Sequence, residues 1–450
     1  MPQRWKNIFL AFSSIIFYAW GEPRFIILML LSVCVNFKYA QVISEAATPK
    51  RAKWWLLFSV AINLGLLIIF KYTEFILVNL NSMIKFSSLA QVPIPNIALP
   101  VGISFYTFHA ISYLIDVYRK NAEPNKSLVD YSLYIMLFPQ LVAGPIIRYK
   151  DIYHQLKIRS ANIVDIEYGI YRFVLGLAKK VLIANPLGLI ADTGFDSPAS
   201  DLTTGSAWLC LLAYSMQIYF DFSGYSDMAI GLARIFGFRF PENFNYPYKA
   251  TSIQDFWRRW HISLSTWFRD YVYIPLGGNR LGSTRTMINL WAVFLLTGLW
   301  HGASWNFIIW GAIHGFFLMC EKLIESTKFK NLSMPRILMH AYVCWVVMFG
   351  WVFFRTGSIN DALDFLIVLL GQHATQAVSV SYSYSQFLSL GILMVLAVML
   401  ACGFYQKIEI TLRDSRYALL MRSLLAIPLL FISMAMLALG QYNPFIYFRF

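Results

Sequence analysis

Charged side chains are scarce in this chain. Of its 450 residues 13% are charged and 58% are hydrophobic, whereas a soluble domain carries about 25% charged residues. The mean hydropathy of +0.56 agrees with this balance. The composition therefore excludes an ordinary soluble domain and indicates a protein of the membrane.

Cysteine is also rare, and the few that are present stand far apart. None forms a CxxC pair or another spacing typical of metal sites, and all five lie in apolar sequence: Cys34, Cys210, Cys320, Cys344 and Cys402. A free cysteine in such surroundings behaves as a small hydrophobic residue. We therefore expect neither a disulfide framework nor a bound metal ion.

Acidic residues are outnumbered by basic ones, 23 against 37, which gives a net charge of +14. The basic residues lie in short clusters between apolar runs, and no basic soluble domain holds them. Nucleic acid is therefore excluded as a partner. Acidic headgroups of the membrane lipid are the expected partners of these clusters.

Long apolar runs dominate the rest of the chain. A helix needs roughly 20 residues to cross a bilayer. Several runs approach that length or are extended by their flanks: Leu56–Phe70, Trp208–Phe220, Met287–Trp300, His340–Phe354, Phe387–Phe404 and Leu424–Leu439. The sequence predicts an all-α polytopic membrane protein that folds as a single domain over residues 1–450. No small-residue cleavage site follows the first apolar run, so no cleavable signal peptide is expected.

The distribution of lysine and arginine predicts the orientation of the C-terminal half, because cytoplasmic loops collect positive charge. The segment 321–336 holds Lys322, Lys328, Lys330 and Arg336 and is predicted to be cytoplasmic. The next loop, 356–386, has no lysine or arginine and is predicted to lie outside.

The middle of the chain departs from this alternation. Two basic segments, Arg119–Lys126 and Arg148–Arg159, are separated only by the run Leu128–Ile147, which Pro139 and Pro145 interrupt. Irregular backbone at membrane depth is tolerated where protein buries it. We therefore predict that this run is a re-entrant or broken helix.

The stretch FWRRWHISLSTWFRDYVYIPLGGNR, residues 256–280, is unusually rich in charged groups and tryptophan. Helical spacing over Phe256–Tyr271 gives one apolar stripe, with the basic residues largely on the other side. An amphipathic helix lying on the membrane surface is one interpretation. It does not explain His261, which either makes a structural hydrogen bond or points into a water-filled cavity.

A second histidine lies in LLTGLWHGASWNFIIWGAIHG, residues 295–315. His301 is embedded in an apolar helix, where ionisable groups are costly and usually functional. Gly298 and Gly302 permit either close helix packing or close approach of a substrate. His314 falls on another face, and a structural role is expected for it.

A third polar segment is QIYFDFSGYSDMAIGLARIFG, residues 217–237. Asp221 and Asp227 do not share a helix face, so they do not suit a carboxylate pair for acid–base catalysis. Ion pairing with Arg234, Arg258 or Arg259 is the simpler expectation for these acids.

The three segments together resemble the membrane-bound O-acyltransferase superfamily. Within it, LPVGISFYTFHAISYLIDVYR, LVAGPIIRY, YFDFSGYSDMAIGLARIFGFRFPENFNYPY and the terminal FIYFRF are similar to the bacterial alginate O-acetyltransferase branch. The resemblance implies a bundle of about ten or more transmembrane and re-entrant helices around a central tunnel, with its core at roughly residues 99–355. It also implies a location in the bacterial inner membrane.

The same resemblance suggests the reaction and its residues. The essential histidine of the family, in WHG, corresponds to His301, and a second one, in RRWH, corresponds to His261. The implied reaction moves acetyl groups from a cytoplasmic thioester, acetyl-CoA, to an exported polysaccharide of the alginate type, with no covalently bound cofactor. A periplasmic or extracellular protein that carries the acetyl group onward is the implied partner.

Elementary chemistry agrees with this reaction. Transfer from a thioester to a hydroxyl needs a base of near-neutral pKa and donors that stabilise an oxyanion. Our hypothesis makes His301 the base, while His261 orients the acceptor, donates to the oxyanion or relays a proton. The further candidates for the lining of the tunnel and the substrate contacts are Asp221, Ser223, Tyr225, Trp257, Arg258, Trp260, Trp305 and Asn306.

Two alternatives remain open at this point. One is the same chemistry on peptidoglycan, cellulose or another cell-surface glycan. The other is a transporter or channel without catalysis, since broken helices and buried histidines also suit transport proteins. No inverted repeat supports the second alternative.

Overall fold

The computed structural model describes residues 2–85, 90–325, 334–372, 384–404, 406 and 417–440. The terminal FIYFRF and the basic residues Lys328 and Lys330 lie outside these ranges. All regular structure within them is helical, which confirms the predicted all-α class. The chain forms two compact units, Met1–Ile166 with Leu232–Pro241, and Glu167–Gly231 with Glu242–Phe450. The single domain expected over residues 1–450 stays a prediction.

The described part of the first unit is built from eight helices and the start of a ninth. They are α1 (Gln3–Gly21), α2 (Ile26–Ser44), α3 (Pro49–Leu67), α4 (Thr73–Ile84), α5 (Ile103–Tyr118), α6 (Leu128–Met136), α7 (Phe138–Leu141), α8 (Tyr149–Lys157) and α9 (Ile163–Ala178). A π-helical turn, Ile68–Tyr72, joins α3 to α4 without a break. Helix α3 begins at Pro49, and the Thr48 side chain accepts a hydrogen bond from the Arg51 N–H.

The run between the two basic segments is broken, as its prolines predict. Helix α6 has only nine residues, and the backbone turns at Leu137 before the four-residue helix α7. At 1.5 Å per residue, α6 is about 14 Å long, which is half the thickness of a hydrocarbon core. Because α6 is too short to cross the bilayer, both basic segments can face the same side.

The described part of the second unit contains most of α9 and the remaining helices. These are α10 (Asn185–Phe195), α11 (Thr204–Ile235), α12 (Ile253–Arg259), α13 (Ile262–Phe268), α14 (Ser283–His301), α15 (Trp305–Glu325), α16 (Arg336–Arg355), α17 (Ile359–Leu369), α18 (Tyr384–Ala401) and α19 (Ala418–Ala438). π-helical turns follow α9 and α13, at Lys179–Ala184 and Arg269–Tyr273. Helices α14 and α15 are antiparallel neighbours joined by three residues.

Six helical segments of the described chain are long and apolar enough to cross a membrane. They are Ile26–Ser44, Pro49–Ile84, Ile163–Phe195, Trp305–Glu325, Arg336–Arg355 and Ala418–Ala438. This finding supports the polytopic membrane class. It does not reach the ten or more transmembrane and re-entrant helices that the resemblance implies, although the described chain has more than ten helices in total.

Glycines set the distance between α9 and α11. A side chain at Gly176 would collide with the backbone oxygen of Gly224, and one at Gly231 would collide with that of Gly169. The two glycines of each helix are seven residues apart, so they lie on one face and let the backbones touch. The crossing fixes the position of α11, which carries Asp221 and Phe222.

Candidate active site

Residues 256–271 do not form the single helix that their periodicity predicts. Helix α12 ends at Arg259, Trp260 is extended, and α13 begins only at Ile262. His261 stands between them with φ 42° and ψ 54°, in the left-handed region. A residue with a β-carbon pays about 1–2 kcal/mol to adopt that conformation, so the break at His261 must be held by its surroundings.

A loop from the end of α11 holds the break open. The Ile262 N–H donates to the Asn243 carbonyl at 2.9 Å, and the Asn245 N–H donates to the Arg259 carbonyl at 2.9 Å. These two backbone bonds flank His261 and leave it no helical alternative. Strained residues of this kind concentrate at functional sites, which makes His261 a candidate on structural grounds as well.

The side chain of Asn243 also contacts the histidine. Its Oδ1 lies 3.1 Å from His261 Nδ1 and accepts from Ser263 Oγ at 2.9 Å and from the Ser263 N–H at 3.3 Å. Its Nδ2 donates to Ser226 Oγ at 3.0 Å. Asn243 and His261 are completely buried. The histidine ring is therefore fixed by an amide that is itself fixed.

His301 is the last residue of α14, and close packing determines its position. A side chain at Gly298 would collide with the Phe307 carbonyl of α15, and one at Gly302 would collide with the Phe307 ring. The Phe294 carbonyl likewise excludes a side chain at Gly311. Of the two roles considered for Gly298 and Gly302, the structure shows the packing role.

The structure brings the two histidines together. The ring centroids of His261 and His301 are 6.5 Å apart, although 40 residues separate them in sequence. Trp300 contacts both rings, with its centroid 6.1 Å from that of His261 and 4.9 Å from that of His301. Only 4% of His301 and none of His261 is exposed. Further aromatic rings complete the enclosure, namely Phe222 against His261, and Trp310 and Phe354 against His301.

Two neighbouring cavities, which share several lining residues, lie along α14 on the side away from His301. The larger has a volume of about 640 Å³, and its charged lining among the described residues is Arg258, Arg269, Arg280 and Lys322, with no acidic residue. The smaller, about 180 Å³, is mostly apolar, shares Trp257 with the larger one and reaches Thr297. Thr297 precedes His301 by one helical turn, about 6 Å. Neither histidine lines either cavity.

Turns between α13 and α14 shape the mouth of the larger cavity. Gly277 and Gly278 both have positive φ, at 108° and 56°, which a glycine adopts without strain. The Asn289 side chain on α14 donates to the carbonyls of Leu276 and Gly278. The chain therefore turns at Gly277 and Gly278, and α14 anchors this turn through Asn289.

The acidic candidates on α11 lie in ion pairs. Asp221 pairs with Lys180 at 2.6 Å, and Asp227 pairs with Arg172 and Lys179, each at 2.6 Å. These partners are on α9 and its π-helical turn. Ion pairing is therefore the role seen for both acids, but the predicted partners were wrong.

Those predicted partners make other contacts. Arg234 pairs with Asp165 and Arg259 with Asp255, while Arg258 lines the larger cavity. The neighbouring candidates on α11 differ in their surroundings: Ser223 is buried and its Oγ has no hydrogen-bond partner among the described residues, whereas Tyr225 is half-buried.

The remaining candidates are spread over two environments. Trp257 and Trp260 are buried, Trp257 against Phe294 and at the wall of both cavities. Trp305 is 52% exposed, and the Asn306 amide donates to the Thr356 carbonyl at 2.8 Å. Asn306 thus ties the start of α15 to the end of α16. Their predicted roles in a tunnel stay predictions.

In the described ranges no group of three or more histidine, cysteine, aspartate or glutamate side chains could hold a metal ion. The five cysteines are free thiols. The chemistry available at the site is that of two imidazoles, the hydrogen-bonding groups around them and the basic cavity.

Comparison with known proteins gives this arrangement a family. The model of the membrane-bound O-acyltransferase family matches residues 120–360. A protein of Azotobacter vinelandii named "Probable alginate O-acetylase AlgI" is 45% identical over 362 residues, which cover 80% of this chain and 72% of the relative. The peptidoglycan O-acetyltransferase of Helicobacter pylori is 38% identical over 418 residues, 85% and 77% of the two chains. The teichoic acid D-alanyltransferase of Bacillus subtilis is 30% identical over 274 residues, 58% and 69% of the two chains.

These likenesses define an integral membrane enzyme that transfers acyl groups to oxygen. The chain belongs to the membrane-bound O-acyltransferase family, in the branch of the alginate O-acetylases, and is a multi-pass protein of the bacterial inner membrane. The prediction of an O-acyltransferase is confirmed, and the alternative of a transporter or channel without catalysis is set aside.

Sequence reasoning missed several residues of the site. Asn243 and Ser263 were not singled out, because an asparagine in an irregular loop carries no periodic signal. Phe222, Trp310 and Phe354 are apolar residues among many others on their helices, so their contact with a histidine cannot be read from the pattern. The motif PENFNYPY contains Asn243, but nothing in it indicates a histidine partner.

Proposed function

We propose that this enzyme transfers acetyl groups from a cytoplasmic thioester donor to hydroxyl groups of an exported polysaccharide, with His301 as the base. The observation that carries the proposal is the burial of two imidazoles from separate segments within 6.5 Å of each other. Histidine is the side chain whose ordinary pKa suits proton transfer near neutral pH. Relatives named for acetyl transfer to alginate and to peptidoglycan support a polysaccharide acceptor.

The reaction follows from this pair. His301 takes the proton of the acceptor hydroxyl while its oxygen attacks the thioester carbonyl carbon. The tetrahedral intermediate then expels the thiolate, a C–O ester bond replaces the C–S bond, and the proton passes from the imidazole to the leaving sulfur. The aromatic enclosure keeps water away, which strengthens each polar interaction in the site and limits hydrolysis of the thioester.

The basic cavity supports acetyl-CoA as the donor. Among the residues that the structure describes, four cationic side chains and no acidic one line it, and charge-assisted hydrogen bonds from arginine suit phosphate groups. Lys322 belongs to the segment that the distribution of charge predicts to be cytoplasmic. A donor whose phosphates rest there would extend its pantetheine arm along Trp257 toward Thr297.

The function is tested on the polymer itself. Cells that carry the gene are expected to contain ester-linked acetyl on their exported glycan, and cells with a deletion or with His301→Gln are not. Mass spectrometry of alkali-labile acetate in separated alginate-like, peptidoglycan and other glycan fractions measures this and identifies the acceptor. Unchanged acetylation of every fraction after deletion contradicts the proposal.

The donor site gives a second prediction. Arg258→Glu is expected to raise KM for acetyl-CoA by about tenfold or more, because a charge-assisted hydrogen bond contributes about 1.5–3 kcal/mol. The value of kcat should change little, since the cavity stops short of the histidines. Kinetics with radiolabelled acetyl-CoA in proteoliposomes measures both constants.

Two controls make this result specific. Acetyl-S-pantetheine has no phosphate, so its KM should be the same for wild type and Arg258→Glu. The exposed Lys50, in the first turn of helix α3, provides a matched charge reversal. Lys50→Glu should leave KM for acetyl-CoA unchanged. Equal KM increases for both donors would show that Arg258 does not bind phosphate.

A further inference from the structure

We propose that Asn243 is a positioning residue that fixes the tautomer of His261, so that His261 offers the lone pair of Nε2 as a proton acceptor. This inference rests on the proposed acyl transfer and deepens it. It decides among the three roles considered for His261, which were orientation of the acceptor, donation to the oxyanion and proton relay. The backbone N–H of Ser263, which can only donate, sets the sense of the hydrogen bonds of Asn243 and thereby that of the bond to His261.

The orientation of the Asn243 amide follows from its neighbours. The Ser263 N–H is a backbone donor and cannot accept, and it points at Asn243 Oδ1 from 3.3 Å. A reversed amide would place its NH2 group against that N–H, two donors face to face. The present sense also gives Nδ2 an acceptor, Ser226 Oγ at 3.0 Å. The amide atom that faces the Ser263 N–H and His261 Nδ1 is therefore the oxygen.

The tautomer of His261 follows from the amide. A neutral imidazole has one N–H donor and one acceptor nitrogen. Because Asn243 Oδ1 can only accept, the Nδ1 of His261, 3.1 Å away, must carry the hydrogen. Nε2 is then the unprotonated nitrogen. It is buried and has no hydrogen-bond partner among the described residues.

A buried, unprotonated nitrogen of this kind can accept a hydrogen bond from a group that arrives with the substrate. The hydroxyl of the polysaccharide, or the protonated His301, is a hydrogen-bond donor of the right chemical class. A neutral His261 with this tautomer has already committed its N–H to Asn243, so it cannot donate to the oxyanion. The geometry thus assigns His261 the role of a hydrogen-bond acceptor or proton relay and leaves oxyanion stabilisation to other groups.

Backbone structure makes the arrangement rigid. The left-handed conformation of His261 is held by two backbone hydrogen bonds, one between Ile262 and Asn243 and one between Asn245 and Arg259. Phe222 meets the imidazole edge-on, with ring centroids 4.6 Å apart and planes at 88°. Ring rotation would break the Nδ1 contact and collide with this neighbour, so the tautomer and the direction of Nε2 are set together.

The direct test is nitrogen NMR of the full-length protein in lipid nanodiscs with 15N-labelled histidine. The chain has seven histidines, so the His261 signals are assigned by their absence in His261→Asn, which keeps a residue that tolerates the left-handed backbone. The wild type is expected to show protonated Nδ1 and unprotonated Nε2 at His261. A protonated Nε2 at His261 in the wild type overturns the proposal, whatever the activity of the variants.

Two substitutions of Asn243 separate tautomer control from packing. Asn243→Leu removes the acceptor at similar volume and is expected to shift His261 toward the other tautomer and to lower kcat by about 10²-fold. Asn243→Asp keeps the acceptor and is expected to keep the tautomer and recover most of the lost turnover. Asn289→Leu, a second buried asparagine, serves as the control and should leave the His261 signals unchanged.

The outcomes are distinct. Loss of the Nδ1-protonated form in Asn243→Leu alone supports the proposal, whereas an unchanged tautomer in that variant, or equal loss of kcat in folded Leu and Asp variants, overturns it. The spectrum needs no turnover, so it is independent of the role of His301. Activity that survives in His301→Gln would show that His301 is not the base, and it would not change the conclusion about the tautomer of His261.

Discussion

Replacement of His301 by glutamine is expected to lower acetyl transfer by about 10²–10⁴-fold, the usual contribution of a general base. The imidazole is 4% exposed, ends helix α14 and lies beside the second histidine. His261, the neighbouring imidazole, is hydrogen-bonded to Asn243 through Nδ1, so it is not expected to take over the role of His301 as base. Glutamine fills most of the same volume and therefore avoids a cavity that would itself destabilise the enclosure.

The measurement is the rate of acetyl transfer from labelled acetyl-CoA in proteoliposomes, normalised to folded protein by size-exclusion chromatography. His314 provides the matched control. It is completely buried and packs against Trp257 and Trp310, but a structural role is expected for it. His314→Gln should cost stability and retain activity within about tenfold. Equal loss in both variants would mean that burial of an imidazole, not proton transfer by His301, supports the rate.

The class of fold could be predicted from the sequence because it depends on the average charge and hydropathy of long segments and not on single contacts. Low charge and long apolar runs predict membrane helices wherever they occur, and Arg336–Arg355 is one of the spans found. The broken helix at α6 and α7 was also predictable, because proline lacks the backbone N–H of a helix interior and its ring clashes with the preceding turn. These features depend on local chemistry alone.

The break at His261 was not predictable in the same way. The apolar spacing across residues 256–271 is compatible with one helix, and only hydrogen bonds from Asn243 and Asn245 impose the left-handed residue. Such tertiary bonds override helical periodicity. The partners of Asp221 were missed for a related reason, since Lys180 reaches it through a π-helical turn that shifts the register of α9.

The proximity of the two histidines also lay beyond local pattern. Their 6.5 Å separation depends on the antiparallel packing of α14 and α15 and on the position of α13. The resemblance to a family supplied both residues, whereas residue chemistry alone favoured a functional role only for His301. The structure adds the side-chain amide of Asn243, hydrogen-bonded to His261, which neither the resemblance nor residue chemistry predicted.

Replacement of Gly298 by alanine is expected to be as damaging as loss of a buried side chain, although it adds one carbon. The new Cβ would collide with the Phe307 carbonyl, a backbone atom that cannot rotate away, and Gly311 faces it from α15. Overpacking of this kind typically costs about 1–3 kcal/mol. The helices must part, and His301 lies one turn beyond the collision.

The activity should fall further than the stability suggests. His301 contacts Trp310, which precedes Gly311, at a ring-centroid distance of 5.0 Å, so separation of α14 from α15 moves the base relative to its enclosure. A displacement of about 1 Å can lower a rate by about 10²-fold. Thermal unfolding monitored by fluorescence-detected chromatography and acetyl transfer at low temperature, where the variant is still folded, measure the two effects separately.

Gly391 on α18 provides the comparison, since no atom of the described residues lies within 4 Å of the Cβ that it would gain. Gly391→Ala introduces the same group into open space and is expected to leave activity unchanged and to raise helix stability by up to about 1 kcal/mol. Opposite signs at the two glycines follow only if α14 and α15 touch through their backbones. Wild-type melting and activity in Gly298→Ala would refute that contact, and with it the packing that positions His301 next to His261.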